Sequence, residues 1–213
     1  MKVKEKNMKI LFLGDSITDA DRDRENPASL GNGYVSIFAM KVKPMLWEDK
    51  PVLCNRGVGG DTTADVLARF ESDVATEKPD FVCLMIGIND VWRHFTEKEG
   101  EEFDFVGFEN NYRTIVEKIK ALGAKLVIMQ PYLLSVPDKR RMRKTFEGVL
   151  DIIEKIALEN ADEYVPFDEM LNGLTAMGGI SVSAYSIDGV HPTHRACRLI
   201  ADNLILKIKK YMN

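Results

Sequence analysis

Phe81-Val82-Cys83-Leu84-Met85-Ile86-Gly87 is apolar almost throughout and runs, through Ile88, into the polar pair Asn89-Asp90. So short an apolar run, with no polar alternation, reads as a strand covered on both faces, the environment of a parallel sheet. Working outward, Lys9–Gly14 and Pro51–Asn55 read the same way towards the N-terminus. Lys125–Gln130, ended by Pro131, and the short Glu163–Pro166 follow towards the C-terminus. Between them lie amphipathic segments: Tyr34–Leu46, Ala64–Val74, Phe105–Leu122 and Arg140–Asn160, with Thr193–Met212 closing the chain. In Phe105–Leu122 the apolar residues Phe105, Phe108, Tyr112, Ile115, Val116, Ile119 and Leu122 recur every three or four positions, which predicts a helix. Strand–helix alternation of this kind predicts an α/β three-layer fold with a central five-stranded parallel sheet. The chain has 213 residues and is 45% hydrophobic, enough for one core, and residues 1–213 read as one domain.

Charge narrows the function classes. The formal net charge is -4 with 29% charged residues, so no basic field is present to hold nucleic acid or an anionic membrane. The basic start, Met1–Lys9, is followed by an apolar stretch too short for a signal-peptide core or a membrane span, and a cytoplasmic protein is expected. Cys54, Cys83 and Cys197 are odd in number and lack metal-type spacing. Cys54 and Cys83 sit in apolar runs, so buried reduced thiols are expected rather than a disulfide framework. Neither a metal nor a cofactor is expected.

In α/β folds the ligand sits beyond the carboxyl ends of the strands. Four segments fall there: Gly14-Asp15-Ser16, Asn55–Asp61, Gly87–Asp90 and Asp188–His191. A serine hydroxyl becomes a nucleophile when a base lies within hydrogen-bond reach and an acid orients that base. Of His94, His191 and His194, His191 has Asp188 three residues before it, a spacing that can set a carboxylate against the imidazole. Pro192 then suits the first turn of the last helix. Ser16 follows the first strand in a tight turn. Acyl transfer also needs donors aimed at the developing oxyanion. The Ser16 N–H, the Gly60 N–H and the Asn89 side-chain amide are the candidates.

Gly14-Asp15-Ser16, Gly59-Gly60-Asp61-Thr62, Gly87-x-Asn89-Asp90 and Asp188-x-x-His191 resemble, in order, the four sequence blocks of the SGNH (GDSL-type) hydrolases. The resemblance spans positions 14 to 191. It implies a flavodoxin-like sandwich, Ser16, Gly60, Asn89 and His191 as signature residues, and Asp188 as the third member of a triad. A finer resemblance, carried by Gly14–Asp19, Leu30–Val35, Ile86–Arg93 and the Met142–Thr145 region, is to bacterial intracellular acetylxylan esterases. It implies a small acetylated sugar as substrate, xylo-oligosaccharides among them, and, since related esterases often self-associate, a homo-oligomer. Asp15, Arg56, Trp92 and Arg93 are the candidate substrate contacts.

Each residue also has a structural reading. Ser16 alone could be a turn or N-cap serine, and Asp188–His191 a plain turn pair. Asp15 could be structural, because a second carboxylate beside the nucleophile opposes oxyanion formation. Asp90 could cap the segment that follows it. His94 reads as a loop residue and His194 as packed on the last helix. Other functions compete as well. A nucleotide site fails on glycine spacing at Thr62. A metal hydrolase using His191, His194, Asp188 and Asp61 lacks a firm third ligand. A noncatalytic carbohydrate-binding domain would carry no activated serine. Among esterases, a lysophospholipase or thioesterase needs an apolar groove, whereas the loops Asp21–Asn32 and Thr96–Asp104 are polar.

Overall fold

The computed structural model describes residues 8–45, 50–98, 100–177 and 179–212. In chain order its elements are β1 (Lys9–Gly14), α1 (Ser16–Asp19), α2 (Tyr34–Val42), β2 (Val52–Gly57), α3 (Thr63–Ala68), β3 (Phe81–Met85), α4 (Ile88–Glu97), α5 (Phe105–Ala121), β4 (Lys125–Met129), α6 (Arg143–Asn160), β5 (Glu163–Val165), α7 (Phe167–Met177) and α8 (His194–Ile208). Every residue of β3 is buried, as is every residue of β1 after Lys9. Such strands must be covered on both faces. α2 packs against α8, while α3 packs against α5 and α5 against α6. The result is the expected α/β sandwich around a five-stranded, all-parallel sheet of order β2-β1-β3-β4-β5.

That order places the site. From β1 the chain steps to β2 on one side and then crosses to β3 on the other, so the topology switches at β1. Gly14 at the end of β1 pairs with Gly57 of β2 and Met85 of β3. Three loops therefore leave the sheet level with one another at the position where open α/β sheets bind ligands.

Several boundaries differ from the sequence reading. The helix expected from Tyr34 ends at Val42, and its expected end at Leu46 lies outside the described residues. The segment expected as one helix over Ala64–Val74 begins at Thr63 and breaks after Ala68 into a π-helical turn over Glu71–Ala75. α6 starts at Arg143, because Pro137–Met142 forms a 3-10 turn before it. Pro192 precedes the N-cap Thr193 rather than occupying the first turn of α8. Three helices were missed: α1, α4 and α7. In α4 the signal existed, since Ile88, Val91, Trp92 and Phe95 fall at i, i+3, i+4 and i+7. It was masked by the apolar run of β3 that leads into it. Gly87, at φ 128, makes the break between them.

Candidate active site

Ser16 is the first residue of α1, a single turn set directly on the end of β1. Asp15 caps that turn: its Oδ1 accepts the Ile17 N–H at 3.0 Å. Ser16 is thus held on a sharp strand-to-helix junction. Its backbone N–H lies at a helix N-terminus and, among the described residues, donates to no protein acceptor.

The partner of Ser16, His191, comes from the opposite end of the chain. Ser16 Oγ and His191 Nε2 are 3.0 Å apart, and His191 Nδ1 lies 2.8 Å from Asp188 Oδ2. Asp188 Oδ1 also accepts the backbone N–H groups of His191 and Val190, at 2.8 and 3.0 Å. Burial pushes the Asp188 carboxyl upward. The hydrogen bonds from the His191 backbone and ring and from the Val190 N–H outweigh it and leave the group below the usual carboxylate range. An ionised Asp188 accepts the Nδ1–H, so Nε2 is bare and accepts the Ser16 hydroxyl proton. The loop is tied at both ends. Ile187 N–H and Ser186 Oγ–H donate to the His191 carbonyl, and Leu134 N–H donates to the Gly189 carbonyl at 2.8 Å.

The third part is the loop after β2. A side chain built on Gly59 would stand 3.8 Å from Ser16 Cβ, so this loop lies against Ser16. Its N–H groups are nearly all in use. Gly57 donates to Asn55 Oδ1, Val58 to the Gly14 carbonyl, and Gly59 to Asp19 Oδ2. Asp61 donates to the Val58 carbonyl, Thr62 to Asp65, and Thr63 to Asp90. The N–H of Gly60 alone in this run donates to no protein acceptor among the described residues. Gly60 sits at φ +86, a conformation that glycine adopts without cost. Helix α4 backs the loop: Asn89 Nδ2 donates to the Asp61 carbonyl at 3.0 Å. A primary amide has two N–H donors, so one remains free.

A hydroxyl on an oriented imidazole, beside unspent backbone N–H groups, is an arrangement suited to acyl transfer. A family model described as the GDSL-like Lipase/Acylhydrolase family matches residues 12–199. The chain belongs to this family. It is 32% identical to the acetylxylan esterase of Geobacillus stearothermophilus, over 94% of this chain and 93% of that one. It is 25% identical to esterase TesA of Pseudomonas aeruginosa, over 92% and 85% of the two chains. Among solved structures, a Geobacillus stearothermophilus acetyl xylan esterase superposes with a TM-score of 0.85 at 30% identity, covering 94% of each chain. The protein is a serine esterase of the GDSL family, acting on ester bonds.

Around this GDSL centre, a cleft of about 590 Å³ is lined by Ser16, Arg24, Gly59, His191 and His194, among others. His194 is therefore an exposed cleft residue, not one packed on α8. Asp15, a candidate substrate contact in the sequence, is fully buried. Its second oxygen, Oδ2, has no partner among the described residues. Burial drives its carboxyl up to about 7, against a smaller lowering by the Ile17 N–H. Arg56 is spent on Glu77 and on the Asn55 carbonyl. Trp92 lies by His191, their rings 6.3 Å apart, with the Lys139 ammonium 3.5 Å above the Trp92 centre. Arg93 donates to the Gly60 carbonyl at 2.7 Å and pairs with Asp65 at 3.2 Å. His94 lies on α4, not in a loop, and packs edge-on against Phe95 and Phe103. Asp90 ties to the first residue of α3, accepting from the Thr63 backbone and hydroxyl, while Thr62 caps that helix. Burial raises its carboxyl to about 6, partly countered by those Thr63 bonds. Among the described residues no group of three or more His, Cys, Asp or Glu is arranged to hold a metal ion, and no helix is long and apolar enough to cross a membrane. The three cysteines are buried and unpaired.

Proposed function

We propose that the chain removes acetyl groups from acetylated oligosaccharides, xylo-oligosaccharides among them, by a two-step acyl transfer through Ser16, His191 and Asp188. His191 takes the Ser16 proton as Oγ adds to the acetyl carbonyl. The resulting oxyanion is received by the N–H groups of Ser16 and Gly60 and by the free N–H of Asn89. His191 then gives its proton to the sugar oxygen as that bond breaks, and water repeats the sequence on the acyl-enzyme. One observation carries the mechanism: the Gly60 N–H remains unspent in a loop whose other amides are satisfied. Backbone N–H groups in folded chains are otherwise nearly always paired with protein or water, so this one is available to a ligand. The full-length similarity to an acetylxylan esterase supports the substrate class. So does the cleft, whose polar members Asp19, Asp21, Arg22, Arg24 and Asn32 suit a hydroxylated alcohol. Long acyl chains need apolar wall, at about 0.8 kcal/mol per buried methylene.

Initial rates on aryl esters from C2 to C12, followed by acetate release from acetylated xylo-oligosaccharides, test this reading. The expected maximum is at acetate, with a steep fall by butyrate or hexanoate. Ser16→Ala should lose several orders of magnitude in kcat with its fold intact. A maximum at C8 or beyond would replace the sugar deacetylase by a lipid esterase.

A further inference from the structure

We infer that Arg93 is a positioning residue, which holds the Gly60 loop in the shape the oxyanion requires. The inference rests on the acyl-transfer reading above. An N–H can stabilise an oxyanion only if its direction is fixed before charge develops. Gly60 is the least constrained residue type at this point, and its positive φ places no side chain to lock it. The surrounding peptides are anchored one by one: Gly59 N–H on Asp19, the Asp61 carbonyl on Asn89, and Thr63 N–H on Asp90. The carbonyl of Gly60 itself is anchored by Arg93 Nη2, at 2.7 Å. The guanidinium is aimed in turn by Asp65, whose Oδ2 lies 3.2 Å from Nη1 and also accepts the Thr62 N–H. Helix periodicity explains how one element does this. Asn89 and Arg93 are four residues apart, so they share a face of α4, and both reach the same loop.

Arg93 spends Nη2 on the Gly60 carbonyl and Nη1 on Asp65, commitments that favour holding the loop over contacting a substrate. It lines a cavity of about 270 Å³ with Asp90, His94 and Asn111. The planar guanidinium thus ties the Gly60 carbonyl, through Nη2, to Asp65, through Nη1, a bridge that the single nitrogen of a lysine cannot reproduce in the same geometry.

The experiment compares wild type, Ser16→Ala, Arg93→Ala and Arg93→Lys on an aryl acetate. Arg93→Ala is expected to lower kcat by about 10- to 100-fold with KM within about twofold, since a loosened oxyanion donor acts only as charge develops. Affinity for a trifluoromethyl ketone, which forms an oxyanion when Ser16 Oγ adds to it, should fall in parallel with kcat/KM. Added guanidinium ion should restore part of kcat, because the Arg93 side chain is 45% exposed and its site is open to solvent. Should Arg93→Ala fail to fold, Arg93→Lys keeps a cation opposite Asp65 and should show the same split in milder form. A raised KM at unchanged kcat, or an unaltered ketone affinity, overturns the inference in favour of a substrate contact or no role. An inactive Ser16→Ala with a normal Arg93→Ala defeats the Arg93 role alone, whereas an active Ser16→Ala defeats the acyl-transfer reading itself.

Discussion

Asp15→Asn is expected to stabilise the protein in alkaline solution and much less in acid. Asp15 is fully buried beside Ser16. One oxygen caps the Ile17 N–H and the other has no partner among the described residues, an arrangement that suits a neutral carboxylic acid. Burial raises the group from its ordinary 3.8 to about 7. Between these values the folded chain holds a proton that the unfolded chain has released. Stability therefore falls as pH rises from about 4 to about 7, and the loss is complete above that. The full loss is about 4 kcal/mol, at about 1.4 kcal/mol per pH unit. About 3 kcal/mol of it falls between pH 5 and pH 9. Asparagine keeps the cap on Ile17 but cannot ionise. Burying its extra amide costs something, but that cost is the same at every pH and cancels in a difference. Denaturant unfolding of both proteins at pH 5, 7 and 9 measures the effect. The stability of Asp15→Asn minus wild type should rise by about 3 kcal/mol from pH 5 to pH 9, with most of the rise complete by pH 7 to 8. A difference that stays constant with pH would refute the reasoning, because it would mean that Asp15 is ionised in the fold at no cost.

Two further outcomes follow from the site. Asn89→Ala should lose about a hundredfold or more in kcat, roughly 3 kcal/mol of oxyanion stabilisation, with a smaller change in KM; steady-state kinetics on an aryl acetate checks it, and an effect confined to KM would make Asn89 a ground-state contact. Gly189→Ala should lower stability by about 2 kcal/mol and depress kcat as well, because Gly189 lies at φ +92 and a Cβ there would stand 2.7 Å from Val136 Cγ2 and 3.1 Å from the Leu134 carbonyl; thermal unfolding at wild-type temperature would contradict it.

The strands were legible because burial on two faces leaves a plain record: every residue of β3 had to be apolar. The pairing of Ser16 with His191 was legible only as chemistry. Nothing in the local pattern brings together residues 175 positions apart; the need of a serine for a base, and of a base for an acid, did so. What stayed hidden was direction. In the sequence His94 reads as a loop residue and Trp92 and Arg93 as candidate substrate contacts, since the helix carrying all three starts inside an apolar run. Once they lie on α4, Arg93 turns to Gly60 while Trp92 lies by His191. Arg56 reads as a candidate substrate contact in the sequence because its partner Glu77 is distant along the chain. His194 opens α8 directly after the N-cap Thr193 and stands exposed at the cleft, a placement that the sequence pattern alone does not specify.

The buried acids join these observations into one constraint. Asp15, Asp61 and Asp90 all lie where burial raises their carboxyls, and each is bound to a piece of the site. Asp15 caps the turn that carries Ser16. Asp61 is held by Arg69 at 2.6 Å and presents its carbonyl to Asn89. Asp90 fixes Thr63 at the far end of the Gly60 loop. Hydrogen bonds to ionised carboxylates are the strong ones, so Asp61 against Arg69 and Asp90 against Thr63 define loop geometry better than neutral side chains would. The same charges, unneutralised, would oppose an oxyanion forming nearby. Asp15 resolves the conflict by holding its proton up to about pH 7, and Asp61 by facing an arginine. Asp90 is placed behind the loop, against the backbone and hydroxyl of Thr63. Substitutions that relieve the burial of these acids should thus divide by position. Those at Asp15 can raise stability without loosening the Gly60 loop, whereas those at Asp90 remove the tie that sets where the loop and its free N–H point.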